Sequence, residues 1–170
     1  MKIFITLGLL VLSLQASASK EQLGCEGSPE FMSIAKNNDG SVNYMSEPDA
    51  YSYCSARGGH LPTAQELVQL STCFGAKGIV LECERSDFKC SALTVSHDYG
   101  SVFLGNFGFR YSSAGYQQPA GDIGRNFFWT SSLKNWPAPG GFLLFDGYLG
   151  RLEINEKKTD RFAVLCVSDK

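Results

Sequence analysis

The sequence predicts an α+β domain. Two helix patterns are confined to the first half of the 170-residue chain. The second half is rich in Gly, Phe, Tyr, Ser and Asn, and its apolar residues come in short bursts. Helices first and antiparallel strands later indicate segregated α and β elements. Six cysteines add a disulfide framework.

The chain begins with export signals. Lys2 supplies a positive n-region, Ile3 to Leu14 form an apolar run, and Ala16-Ser17-Ala18 offer a small-residue cleavage site, so residues 1–18 read as a signal peptide. A run of about a dozen apolar residues is too short for a membrane-spanning helix, which needs about 20. Leu23-Gly24-Cys25 resembles the end of a lipobox, but Lys20, Glu21 and Gln22 separate that cysteine from the apolar run. Cleavage after Ala18 is the expectation. The protein is then secreted, periplasmic or displayed at the cell surface.

The processed chain carries 14 basic against 17 acidic residues, a net charge of −3. Nucleic acid is thereby disfavoured as a partner, since phosphate binding needs concentrated basic charge. No second apolar stretch approaches the length of a membrane span. All six cysteines, Cys25, Cys54, Cys73, Cys83, Cys90 and Cys166, follow the leader. In an exported chain they read as three disulfides, and spacing alone does not choose the connectivity. Zinc is disfavoured: there is no Cys-x-x-Cys pair, and neither His60 nor His97 stands at metal-motif spacing.

Residues 19–43 read as an N-terminal segment and 44–170 as the domain. Ser46-Glu47-Pro48-Asp49 resembles a capping box with proline in the first turn. Ala50, Tyr53, Cys54 and Arg57 continue at helical spacing until Gly58-Gly59 provide a left-handed stop. Thr63 and Glu66 form a second capping box, Leu67, Leu70 and Phe74 a buried stripe, and Gly75 the end. Strands are expected over 126–131, 141–145 and 161–167. Asp146-Gly147 reads as a two-residue hairpin turn with 148–154 returning, and 91–125 holds at most two short strands.

These residues together resemble a known family. Ala50-Tyr51-Ser52-Tyr53-Cys54, Gly58-Gly59-His60-Leu61-Pro62-Thr63-Ala64-Gln65-Glu66-Leu67, Phe128-Trp129-Thr130-Ser131-Ser132, Asp146-Gly147 and Arg161-Phe162-Ala163-Val164-Leu165-Cys166-Val167 look like the ordered motifs of bacterial C-type-lectin-like domains. The likeness covers about Tyr44 to Val167; related folds occur in intimin and invasin adhesins and in formylglycine-generating enzymes. It implies a Cys54–Cys166 bridge between the first helix and the last strand. For the other four cysteines the expected pairs are Cys73–Cys83 and Cys25–Cys90.

The fold hosts binding proteins and an enzyme alike, so the residues must decide. The calcium-dependent lectins it resembles carry Glu-Pro-Asn or Gln-Pro-Asp in a long loop and Trp-Asn-Asp on the next strand. Here Glu47-Pro48-Asp49 sits at a helix start, Gln118-Pro119-Ala120-Gly121-Asp122 is interrupted, and Trp129-Thr130-Ser131 offers no carboxylate. Calcium needs six to eight oxygen ligands, so no metal or other cofactor is expected. Catalysis is not expected either. The paired active-site cysteines of the formylglycine-generating relatives have no counterpart, there is no Gly-x-Ser-x-Gly or His-Glu-x-x-His, and His97-Asp98, if on a strand, point to opposite faces.

A non-catalytic binding module for a glycan or a surface protein, serving for instance in adhesion, is the function that remains. The alternative is a structural envelope protein without a small ligand. The loops from Gly105 to Gly141 are where the fold displays its contacts. Tyr116, Gln118, Asp122, Arg125, Asn126 and Trp136 are the candidate ligand residues, with Tyr111 in the same region. Trp136, beside Pro137-Ala138-Pro139, is the leading anchor, whereas Trp129 reads as core. Intact-mass analysis of exported protein should give Ser19 as the first residue; a diacylated Cys25 there would overturn the cleavage assignment.

Overall fold

The protein is described here by a computed structural model covering residues 23–82, 95–96, 101–104, 109–134, 141–155, 157 and 159–169. The expected leader, Cys83, Cys90, His97 and Trp136 lie outside the described residues. The architecture is mixed α and β, with two helices, mostly antiparallel strands and two disulfides among the described residues.

Helix α1 spans Glu47–Ser55 and α2 spans Ala64–Thr72. The capping box at α2 is complete: Glu66 N–H donates to Thr63 Oγ1 (3.2 Å), and Thr63 N–H donates to the Glu66 carboxylate (2.7 Å). At α1 the expected box does not form. The Ser46 hydroxyl donates to Asp49 Oδ2 at 2.6 Å, and its oxygen accepts no cap bond from a backbone N–H. Pro48 has no N–H to cap at all. Gly58 takes the left-handed conformation the sequence called for, with φ of 72°.

The principal sheet has five strands: β1 (Tyr44–Met45), β7 (Phe127–Lys134), β8 (Gly141–Asp146), β9 (Arg151–Asn155) and β10 (Phe162–Ala163), in the order β1-β10-β7-β8-β9. Only the β10–β7 pairing is parallel. Strand residues alternate between faces, and this sheet is apolar on both. Phe128, Leu143, Phe145, Leu152 and Ala163 meet Leu67, Val68 and Leu70 of α2 on one side. Met45, Trp129 and Leu144 meet Ala50 and Cys54 of α1 on the other. Trp129 is wholly buried; its indole donates to the Met45 carbonyl (2.8 Å) and meets the Phe162 ring edge-on with centroids 4.9 Å apart.

The remaining strands depart from the sequence reading. A second sheet, order β3-β6-β5-β4, is built from β3 (Gly78–Glu82), β4 (Val95–Ser96), β5 (Ser101–Leu104) and β6 (Phe109–Ser112). Three of these fall in 91–125, where two at most were expected. Partners supplied by other strands, such as Ile79 opposite Tyr111, fix short segments as strands that local pattern does not delimit. The expected strand 161–167 is two pieces, β10 and β11 (Val167–Ser168), and β11 pairs with β2 (Gly59–His60). The Asp146-Gly147 hairpin is wider than expected. Asp146 pairs with Arg151, so four residues form the loop, because the Asp146 carboxylate binds the N–H groups of Tyr148 and Leu149 (2.8 and 3.2 Å). The segment before residue 44 is part of the same body: Phe31 and Ala35 are buried, and Met32 and Ala35 donate to the carbonyls of Cys166 and Val164.

Two bridges close this arrangement. Cys54–Cys166 is present, joining α1 to the chain end across 112 residues. The expected Cys25–Cys90 and Cys73–Cys83 pairs are replaced by Cys25–Cys73, with Cα atoms 5.4 Å apart. Phe31 bridges both Leu23 and Val167, which lays the N-terminal segment against the C-terminal strand and carries Cys25 to the end of α2. A sulfur bonded to Cys73 cannot also form the thioether of a lipid anchor, so this bond stands against the lipobox reading of Cys25. Loop-closure entropy assigns each bridge about 4–5 kcal/mol at most. Unreduced peptide mapping should yield both pairs. Cys54→Ser should cost roughly 2–5 kcal/mol, and a peptide joining Cys54 to any other cysteine would contradict this closure.

His60 ties β2 to both neighbours. Its Nε2 lies 3.0 Å from Glu66 Oε1, and its Nδ1 bonds Asp169 Oδ1. Both nitrogens donate only in the imidazolium form. Partial burial opposes that charge, but the hydrogen bonds and charges of Asp169 and Glu66 outweigh it, so the His60 pKa is raised. The bound charge therefore stabilises the fold fully below the unfolded value near 6.5 and is lost as pH rises through the folded value. The melting-temperature gap between wild type and His60→Gln should be wider at pH 6 than at pH 9; an equal gap would show that the ring acts by shape alone.

Candidate functional site

The candidate residues of the long loops converge on one end of the five-stranded sheet. A 3-10 turn at Ile123–Arg125 leads through Asn126 into β7, and the tip of the β8–β9 hairpin, Gly147 to Gly150, folds against it. Gly147 is required there: a Cβ would stand 1.8 Å from the Ile123 carbonyl oxygen. Its N–H donates to the Asn126 carbonyl at 3.0 Å.

Asn126 is the hub. It is 7% exposed; its Oδ1 accepts from the Tyr44 hydroxyl (2.5 Å) and its Nδ2 donates to the Asp122 carbonyl (2.7 Å). Tyr116 is half-buried, packs edge-on against Phe74 with centroids 6.3 Å apart, and donates its hydroxyl to the Gly147 carbonyl (2.7 Å). Tyr111 is fully buried on β6, with its hydroxyl bonded to Ser71 Oγ and to the Gly150 carbonyl. The polar atoms of Asn126, Tyr116 and Tyr111 thus hold the site together from beneath. Burial pushes both phenols, Tyr111 and Tyr116, well above the ordinary tyrosine range, so they remain neutral donors.

The other candidates face outward. Gln118 is exposed and donates to the Gly124 carbonyl at 2.6 Å. Asp122 forms an ion pair with Lys36 from the N-terminal segment. Arg125 is exposed, and among the described residues it has no ion-pair partner. Trp136 lies outside the described residues.

Sequence reasoning missed several surface groups. Tyr44, Phe127, Tyr148 and Leu149 are the exposed large apolar side chains near this end, with Tyr148 at 60%. Tyr148 and Leu149 follow an Asp-Gly turn signal and were expected in the return strand; the four-residue loop places them at the hairpin tip instead. Tyr44 carries no such signal, since its place beside Asn126 depends on a pairing between residues 82 positions apart. Asp146, 3% exposed, underlies the tip; burial raises its pKa against the lowering effect of the Tyr148 and Leu149 N–H groups, with Arg151 3.7 Å away. A shallow polar depression lined by Lys36, Asn37, Asn38, Asp39 and Asn43 flanks the Lys36–Asp122 pair.

The arrangement is a rigid display of aromatic, amide and guanidinium groups. Among the described residues no group of three or more His, Cys, Asp or Glu is placed to hold a metal, and no helix is long and apolar enough to cross a membrane. No family model, no curated protein and no solved structure matches the chain.

Proposed function

We propose that this chain is an exported, C-type-lectin-like binding module, non-catalytic and independent of calcium, that recognises a glycan or a surface protein. One observation carries the reading. Exposed Tyr44, Tyr148 and Leu149 stand around an inward-facing hydrogen-bond network centred on Asn126. Aromatic and arginine side chains are the usual anchors of binding surfaces, and a scaffold that immobilises them lowers the entropic cost of association. The Cys54–Cys166 bridge agrees with what the resemblance implies. In this reading the loops from Gly105 to Gly141 supply contacts, with Trp136 as anchor.

A glycan-array and pull-down screen of the processed chain should return a ligand, and EDTA should leave its binding unchanged. Trp136→Ala should weaken binding about thirty-fold, corresponding to about 2 kcal/mol, while stability stays within about 0.5 kcal/mol. Trp129→Ala should instead cost about 3–5 kcal/mol of stability, because it empties a buried site. Unfolding by Trp136→Ala would identify that residue as core and remove it from the site; loss of binding in EDTA would refute calcium independence.

A further inference from the structure

The N-terminal segment carries a polar feature of its own. Residues 35–43 form a tight hairpin: Lys36 and Val42 bridge, the Asn37 N–H donates to the Ser41 carbonyl (2.9 Å), and the Asn43 N–H donates to the Ala35 carbonyl (2.9 Å). Gly40 turns it, with a φ of 83° that suits glycine. The hairpin is tied to the body at its base, where buried Ala35 donates to the Val164 carbonyl (2.9 Å), and at its side by the Lys36–Asp122 ion pair. The shallow depression lined by Lys36, Asn37, Asn38, Asp39 and Asn43 belongs to this hairpin, so its walls are held in place before any ligand arrives.

The charges in the depression are already matched. Lys36 pairs with Asp122, and Asp39 Oδ1 accepts from the Ser41 hydroxyl (2.6 Å) and N–H (2.9 Å), bonds that hold the Asp39 carboxyl below its usual range. Asn37 Nδ2 donates to Ser41 Oγ at 3.0 Å. The side-chain amides of Asn38 and Asn43 differ. Among the described residues neither bonds to the protein, and Asn43 is half-buried. Each amide offers a carbonyl acceptor and two N–H donors, and a sugar hydroxyl both donates and accepts. An amide pair therefore fits neighbouring hydroxyls with no net charge on either partner. All five lining side chains are polar, which leaves no apolar wall to seat the aromatic anchor of a protein partner.

We propose that this depression is a subsite for a neutral glycan, with the amides of Asn38 and Asn43 bonding its hydroxyls. The subsite rests on the reading of the chain as a binding module. It lies outside the Gly105–Gly141 loops and is joined to them through Asp122. With both charges of the depression paired and an uncharged ligand, binding here should not depend on salt.

Magnetic-resonance titration of the isotope-labelled processed chain with maltotriose, with chitotriose and with trigalacturonate, read at the Asn side-chain amides, tests this. At least one neutral trisaccharide should shift the Asn38 and Asn43 amide signals, with the same affinity at low and high salt, and trigalacturonate should bind no tighter. Asn38→Ala and Asn43→Ala should each lower that affinity about five- to tenfold. The melting temperature should not change, because neither amide bonds to the protein among the described residues. Tighter binding of trigalacturonate that fades with salt would overturn the neutral class of ligand. Amide signals that no neutral probe moves, or Asn variants that bind as wild type, would overturn the subsite; a ligand found in the glycan-array or pull-down screen would then leave the binding-module reading standing. Absence of any glycan or protein ligand in every arm would overturn both.

Discussion

The rest of the structure depends on the meeting of the segments 30–35 and 164–168. Residues 30–35 donate and accept backbone hydrogen bonds along 164–168, and β10 lies between β1 and β7. A strand of two residues cannot hold that central place by its own pairing. It is held because Val164, Leu165 and Cys166 are buried immediately after it, and because Cys166 is bonded to α1. With those residues withdrawn, β1 would lose its partner, Trp129 its cover from Phe162, and β2 its only pairing in the small sheet.

This closure explains how the candidate surface is made. Tyr44 reaches Asn126 only because β1 is seated on β10, and Arg161 reaches Tyr44 only because it immediately precedes β10. The hairpin tip is fixed from the opposite direction. Tyr111 and Tyr116 bind the carbonyls of Gly150 and Gly147, and the Asp146 carboxylate binds the intervening amides. Buried polar groups that are fully partnered specify one geometry, since any shift would leave a donor or acceptor unpaired in a place without water. The exposed aromatics inherit that rigidity.

Several of the residues singled out from sequence combine two roles that sequence cannot separate. Tyr116, Asn126, Arg125 and Asp122 lie within a dozen positions of one another and share the same loop character. Tertiary structure turns the first two inward and the last two outward. Tyr111 is the sharper case, since a tyrosine in a Gly- and Ser-rich stretch reads as a displayed side chain. Here it becomes a core residue because β6 is roofed by α2 through Ser71.

By itself, the sequence determined what local chemistry controls: the α+β class, the two helices, the Thr63–Glu66 capping box, the Gly58 stop, the burial of Trp129 and the strands β7 and β8. Each is written in a short window by capping groups, periodicity or an apolar burst. Tertiary structure alone decided the second sheet, the division of 161–167 into β10 and β11, and the pairing of Cys25 with Cys73. It also decided the place of Tyr44 beside Asn126 and of Arg161 beside Tyr44. In most of these the partner lies dozens of residues away, as Tyr44 is from Asn126, Cys25 from Cys73 or β3 from β6. The energy that selects it comes from burial and hydrogen bonding across the assembled core, which no local window contains.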